Sequence, residues 1–304
     1  MKYKEKYAKN IHSETLFHLF KNINFLEGIL QSKAFKPSYA KESITIKNEI
    51  LPTYFIPMVC FSDFRLSELG LHVEKYGSYG IGMSKEWGVK NGLNPVIYIN
   101  DKCKVFHDIR QSLIAISQSG NNGFSQGMMS IYCYIKNHRG KLYRKGEIIE
   151  DFIFSDDKEW RYIPNKIVAD LIVVEELQQS ITGAVSTPDR LIGDRIIRNK
   201  SGLENKINKE DYLLFDYDDI KFILVPDVTA RNHLIFIIEN IFDESSICFP
   251  APIPTYKIAS LAKKEGCCGV LNEHYKIQNS TKKQYKRIRD SLISKIMVVE
   301  HLDF

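Results

Sequence analysis

The apolar residues of this chain come in short runs that alternate with polar segments along its whole length. The longest runs, Phe222–Pro226 and Leu234–Ile238, are far shorter than the roughly 20 apolar residues that a transmembrane helix needs. Residues 1–10 are charged and lack the apolar core of a signal peptide. The sequence therefore predicts a cytoplasmic protein without a membrane span.

Helix-like and strand-like segments follow one another, which favours an α+β fold. We expect one large domain over residues 1–304, with a mixed or antiparallel sheet flanked by helices. Apolar residues at helical spacing predict a first helix over residues 11–35. Further helices are predicted at 63–76, 103–118 and 281–297, and strands at Tyr54–Phe61, Gly77–Met83, Trp160–Pro164 and Ile220–Val225.

Composition excludes several classes of protein. Hydrophobic residues make up 44% of the 304 and charged residues 26%, so most of the chain is neither disordered nor coiled coil. The net charge of +5 is too small to indicate a nucleic-acid binder by itself. The 6 cysteines contain no CxxC pair, which predicts reduced thiols and no metal site.

A block of tyrosines and glycines, YGSYGIGMSKEWG, begins at Tyr76. Glycines let a backbone approach a ligand closely, and a neighbouring ring such as Tyr79 stacks on it. Tyr76, Tyr79 and Gly80 are therefore candidates for binding a nucleotide. The alternative is a bulged strand whose tyrosines belong to the core.

A second candidate is the segment DDKEWRY, in which Glu159 begins a predicted strand and Arg161 follows. A carboxylate here suits the stabilisation of an oxocarbenium-like centre, and the guanidinium of Arg161 suits contact with a phosphate. Alternatively, the two form a pair on the same face of a strand beside an exposed turn. A nuclease site using the Asp-x-Lys patterns at 156–158 and 219–221 is a weaker hypothesis.

The predicted C-terminal helix carries five basic residues. One face of such a helix suits contact with the phosphates of a nucleic acid or with a partner protein, and the alternative is an ordinary solvated surface. The residues are Lys282, Lys283, Lys286, Arg287 and Arg289.

Several blocks, in order, resemble the AbiGi family of bacterial abortive-infection proteins, catalogued as the antitoxin half of a two-gene phage-resistance system. They are SETLFHLFKNINFLEGIL, IPMVCFSDF, YGSYGIGMSKEWG, DDKEWRYIP and DDIKFILV. The resemblance covers about residues 11–304 and implies phage defence, with a nucleotidyltransferase-like toxin encoded by a neighbouring gene as partner. Residues 104–135 and 243–280 match poorly, and we expect insertions there.

The same order of motifs is similar to ADP-ribosyltransferase folds, in which a histidine binds the NAD ribose, a tyrosine stacks on nicotinamide and a glutamate orients the ribose. This resemblance implies a catalytic set of His18, Tyr79 and Glu159, with Tyr76 as the alternative stacking ring and NAD as cofactor. His18, however, lies inside the predicted first helix, where a packed or exposed helix histidine is the alternative. The sequence leaves open whether the chain is an enzyme or a non-catalytic antitoxin.

Overall fold

The computed structural model describes residues 13–42, 45–46, 49–50, 54–100, 102–119, 130–144, 147–164, 172–173, 207–243 and 280–302. The helices are α1 (Ile23–Ser32), α2 (Leu69–Tyr76), α3 (Lys85–Lys90), α4 (Lys104–Ser119), α5 (Val228–Ile241) and α6 (280–294). The strands are β1 (Thr15–Phe20), β2 (Ala34–Phe35), β3 (Ser38–Glu42), β4 (Thr45–Ile46), β5 (Glu49–Ile50), β6 (Tyr54–Ser62), β7 (Tyr79–Ser84), β8 (Asn94–Pro95), β9 (Ile97–Ile99), β10 (Ile135–Asn137), β11 (Arg139–Arg144), β12 (Glu147–Ile153), β13 (Glu159–Tyr162), β14 (Ile172–Val173), β15 (Leu213–Leu214), β16 (Ile220–Val225) and β17 (Ile296–Val298).

A nine-stranded mixed sheet is the centre of the fold, in the order β17-β16-β7-β1-β6-β13-β8, with β3 and β14 also paired to β6. Only the outer pair β16–β17 is parallel along that path. β6 is long enough to have different neighbours at its two ends. Its first half pairs with β3 and β14, and its second half with β1 and β13. The predicted α+β fold with a mixed sheet flanked by helices is confirmed.

Both faces of the sheet are covered. On the front face, Leu16, Phe61 and Ile81 pack with residues of α1 and α5, including Leu30 and Leu234. Each of these apolar side chains stabilises the fold by about 1.5–3 kcal/mol when fully buried. The front face is therefore the main hydrophobic core.

The back face carries two smaller clusters. Phe17 and Leu224 pack with Leu69 of α2, whereas Met58 of β6 packs with Phe106 of α4 in the second. The back face also holds a group of charged side chains around β13.

The predicted helix over residues 11–35 is wrong in its first half. Thr15–Phe20 is a strand, and the helix starts only at Ile23, where Asn22 Oδ1 accepts a hydrogen bond from Asn24 N at 2.9 Å. Leu16 and the adjacent Phe17 are both buried because the strand is covered on both faces. The polar–apolar alternation typical of a half-exposed strand is therefore missing, and the run imitates a helix.

Other predicted elements are confirmed within one to three residues at most ends, including β6, β7 and β16. Ser84 ends β7 and caps α3, since its Oγ accepts a hydrogen bond from Trp87 N at 3.2 Å. The last predicted helix ends at residue 294, and the chain continues as β17. The predicted insertion at 243–280 lies almost wholly outside the described residues, whereas 104–135 includes α4.

Candidate functional site

The charged cluster on the back face is built around β13. Glu159 and Arg161 are alternate residues of this strand, so both side chains point to the same face. Lys136 reaches the cluster from β10 and Glu42 from β3. Glu159 is 7% exposed and Arg161 is fully buried, so two acids and two bases share a site that is almost closed to water.

Arg161 is held from three directions. Its Nε donates to Glu159 Oε1 at 2.7 Å, and its Nη1 donates to the backbone oxygen of Cys133 at 2.6 Å. Its Nη2 lies 3.1 Å from Glu42 Oε1. These partners occupy the in-plane N–H donors of the guanidinium, which are the donors that a phosphate would need. The group predicted to contact a cofactor is therefore buried and already paired with protein atoms.

Glu159 is equally well paired, since Lys136 Nζ donates to Oε2 at 2.9 Å beside the Arg161 contacts. Burial alone would raise the pKa of this carboxyl, but the charges of Arg161 and Lys136 outweigh it and lower the pKa to about 2. The carboxylate is thus ionised at neutral pH. Its oxygens face protein donors rather than open solvent.

Two thiols border the cluster. Burial and the charge of Glu159 raise the pKa of Cys60 well above its usual range, and burial raises that of Cys133 to about 12. Since the thiolate is the reactive form, neither cysteine is activated as a nucleophile at neutral pH.

His18 lies on β1 and points to the front face. Its Nδ1 lies 2.7 Å from the backbone oxygen of Cys60, and because a carbonyl only accepts, Nδ1 carries the proton. Burial lowers the pKa of the imidazole. The ring is enclosed by Phe20, Phe35 and Phe61, with centroids 5.4–5.7 Å away. Nε2 keeps a lone pair, and among the described residues it has no hydrogen-bond partner.

Tyr79 and Gly80 begin β7. Tyr79 lies opposite Phe20 in the register and packs on the front core. Gly80 points to the back, where a Cβ would lie 2.5 Å from Leu19 Cδ2. Gly80 therefore makes room for packing side chains, and its role in cofactor binding stays a prediction. Tyr76 ends α2 beside His72, with parallel rings 6.3 Å apart.

The predicted catalytic set does not converge. His18 and Tyr79 share the front face on neighbouring strands, whereas Glu159 lies on the back face beside Arg161. β6 lies between β1 and β13 in the sheet. Because the two side chains project from opposite faces, the sheet separates the histidine from the carboxylate. The structure therefore does not bring His18, Tyr79 and Glu159 together on one face of the sheet.

The five basic residues predicted to contact nucleic acid lie on α6. Lys283, Lys286 and Arg287 are exposed, whereas Lys282 and Arg289 are partly buried. Arg289 donates to Asp290 Oδ1 at 2.9 Å, which removes part of the positive charge from the surface. The helix presents a modest basic patch rather than a continuous basic face.

The Asp-x-Lys patterns also have local roles. Asp219 closes a 3-10 turn by accepting from Asp216 N at 2.9 Å, and Asp157 is buried in the turn before β13. Within the described ranges, no group of three or more His, Cys, Asp or Glu side chains is arranged to hold a metal ion.

A cavity of about 360 Å³ lies between α1 and α5. Phe236, which is 60% exposed, and Ile237 supply its apolar part, while Glu27 and Gln31 form a polar rim. Sequence reasoning missed this groove, as it missed Glu42 and Lys136, because each depends on segments that meet only in the folded chain. None of the helices in the described ranges has the length and apolar character that a membrane span requires.

Together these observations define an α+β protein with one mixed sheet, a closed charge cluster on one face and a helical groove on the other. The model of the family described as "Putative abortive phage resistance protein AbiGi, antitoxin" matches residues 33–226. The chain belongs to the AbiGi family. A relative from Lactococcus lactis subsp. cremoris, "Abortive phage resistance protein AbiGi", is 27% identical over 230 residues, which are 68% of this chain and 88% of the relative.

The matched residues include Tyr79, Glu159 and Arg161 but not His18, which precedes them. No solved structure matches the chain. The family places the chain among abortive phage resistance proteins.

Proposed function

We propose that this chain is a non-catalytic antitoxin, which acts in abortive phage resistance by binding a toxin encoded by a neighbouring gene. The observation that carries the proposal is the state of Glu159, the predicted catalytic acid. Its oxygens accept hydrogen bonds from Arg161 and Lys136 inside a charge-balanced cluster. A carboxylate used in this way stabilises the fold and has no open side for a substrate.

The groove between α1 and α5 is the surface that we assign to the toxin. An aromatic side chain exposed beside a cavity is typical of an interface anchor, and Phe236 has this position. Glu27 is the full negative charge on the rim. The groove therefore favours a toxin segment with an apolar anchor and a neighbouring lysine or arginine.

Co-expression with the neighbouring gene product tests this proposal. We expect a stable complex, and we expect Phe236→Ser to weaken it at least tenfold in a titration followed by calorimetry. Phe25→Ser is the matched control, because Phe25 is 63% exposed on α1 but does not line the groove. If the purified proteins form no complex, the antitoxin role fails. If both variants weaken binding equally, only the assignment of the groove fails.

NAD binding is the second candidate function. The site would use His18 and Tyr79 but not Glu159. The observation in its favour is that His18 lies on the first strand, with Tyr79 on the same face of the neighbouring strand. NAD⁺ titration of the wild-type protein, followed by NMR, compares it with His18→Asn and Tyr79→Phe. Binding that both variants weaken supports this site, and binding that neither changes contradicts it.

A further inference from the structure

Two buried polar atoms near the start of β13 have no hydrogen-bond partner in the described part of the chain. They are Nδ1 of His72, on α2, and Oδ1 of Asp157, in the turn before the strand. His72 is 4% exposed and Asp157 is 5% exposed. Buried polar atoms are almost always paired in folded proteins, so each exception calls for a reason.

The two side chains belong to one group around α2. Lys75 Nζ lies 3.5 Å from Asp157 Oδ1. Burial lowers the pKa of His72, and Asp157 acts on the same imidazole in the opposite direction. The imidazole is fixed in orientation, because its ring packs parallel to that of Phe64 with centroids 4.1 Å apart. We call His72, Lys75 and Asp157 the α2 corner.

Weak surface contacts cover the α2 corner. Lys158 Nζ donates to both carboxylate oxygens of Glu68, at 2.8 and 2.9 Å, and these side chains are 46% and 37% exposed. Exposed ion pairs of this kind contribute little to stability. The side chain of Lys75 is itself 29% exposed. Both lysine side chains are partly exposed, so we expect a ligand to reach His72 Nδ1 and Asp157 Oδ1 by displacing them.

Charge and hydrogen-bonding capacity define the ligand. The charges of Asp157 and Glu68 balance those of Lys75 and Lys158, so a charged ligand gains no net attraction. Hydroxyl groups both donate and accept, which suits a carboxylate oxygen, an imidazole nitrogen and an ammonium group together. We propose that the α2 corner binds a neutral small molecule that carries a vicinal diol, such as a ribose or another sugar.

NMR titration of the wild-type protein tests the proposal, with methyl β-D-ribofuranoside, adenosine and 2′,3′-dideoxyadenosine as probes. We expect adenosine to shift amide signals of α2 and β13, and dideoxyadenosine to bind at least tenfold more weakly. Binding of both ribosides shows that the sugar suffices. Binding of adenosine alone adds the aromatic ring of Tyr76 to the site. Equal binding of the dideoxy control, or no binding at millimolar concentration, overturns the proposal.

His72→Phe keeps the stack on Phe64 and removes the unpaired nitrogen. We expect it to raise the Tm of the free protein and to weaken adenosine binding at least tenfold. His107→Phe, on the exposed side of α4, is the matched control and should change neither quantity. Asp157→Asn, which keeps the shape of the side chain, should weaken adenosine binding as strongly. A Tm lowered by several degrees in His72→Phe shows a satisfied core histidine and overturns the proposal.

Discussion

Asp157 and Glu159 are buried carboxylates on either side of Lys158, yet their surroundings are opposite. Glu159 accepts hydrogen bonds from Arg161 and Lys136, whereas Oδ1 of Asp157 has no hydrogen-bond partner among the described residues. Burial alone therefore does not identify a functional acid. What separates a structural carboxylate from a candidate binding group is the number of donors that the fold already supplies.

The backbone conformation of Lys158 accounts for the different directions of the two carboxylates. Its φ of 44° places it in the left-handed region, which a non-glycine residue adopts at a cost. The chain turns there from a 3-10 turn into β13. Asp157 is thereby directed towards α2 and Glu159 towards Lys136, although only one residue separates them.

The largest effect is expected from Arg161→Leu. Removing the guanidinium leaves the buried Glu159 and the partly buried Glu42 with only Lys136 as a basic partner, which costs about 3–5 kcal/mol of unfolding free energy. Urea unfolding followed by circular dichroism measures it. Lys141→Leu is the control, because its ion pair with Glu150 is more than half exposed and should cost less than about 1 kcal/mol. Similar losses in both variants would remove the distinction between a closed cluster and a surface pair.

The second largest effect is expected from acid, which should lower the free energy of unfolding by protonating Glu159. Its pKa is about 2 in the folded protein against an ordinary 4.5, so the stabilisation is present above the ordinary pKa and is lost as the pH falls towards 2. We expect Glu159→Gln to be less stable at pH 7 and to depend less on pH between these values. Urea unfolding at several pH values measures both slopes, and identical slopes would contradict the lowered pKa.

Asp157→Asn should have a small effect on stability. Oδ1 of Asp157 accepts no hydrogen bond from the described residues, and its ion pair with the partly exposed Lys75 is long at 3.5 Å. The free energy of unfolding should therefore change by less than about 1 kcal/mol. Urea unfolding beside Glu159→Gln gives the direct comparison. A loss as large as that of Glu159→Gln would mean that both carboxylates are structural.

The smallest effect is expected at Lys158. Lys158→Gly relieves the left-handed conformation but loses the exposed pair with Glu68, whereas Lys158→Ala loses the pair and keeps the strain. We expect the glycine variant to be more stable than the alanine variant by about 1 kcal/mol. Thermal unfolding of the two variants measures the difference, and equal Tm values would show that the turn is not strained.

The sequence predicted most of the sheet, because strands such as Ile220–Val225 are short apolar runs bounded by turn residues. It failed at Thr15–Phe20, where burial on both faces removes the alternation that identifies a strand. The family, too, was within reach of the sequence. It is carried by blocks of adjacent residues, and the match over 33–226 confirms that part of the resemblance.

The site was harder to predict. Glu159 and Arg161 were recognised as a pair on the same face of a strand, but the pair is buried rather than exposed. Nothing in the sequence links them to Glu42 or Lys136, since these come from other strands and meet β13 only through the fold. The faces of His18 and Glu159 depend in the same way on the order of strands, which no local pattern reveals.

The pairing of β16 with β7 has a consequence for how the chain folds. Ile220 lies opposite Met83, so β16 joins the sheet only after a loop of well over a third of the chain has closed. Contacts between such distant residues slow folding and leave strand edges exposed meanwhile. Each newly made molecule therefore passes through an interval in which its central sheet is incomplete, and we expect refolding to be slow compared with that of small helical proteins.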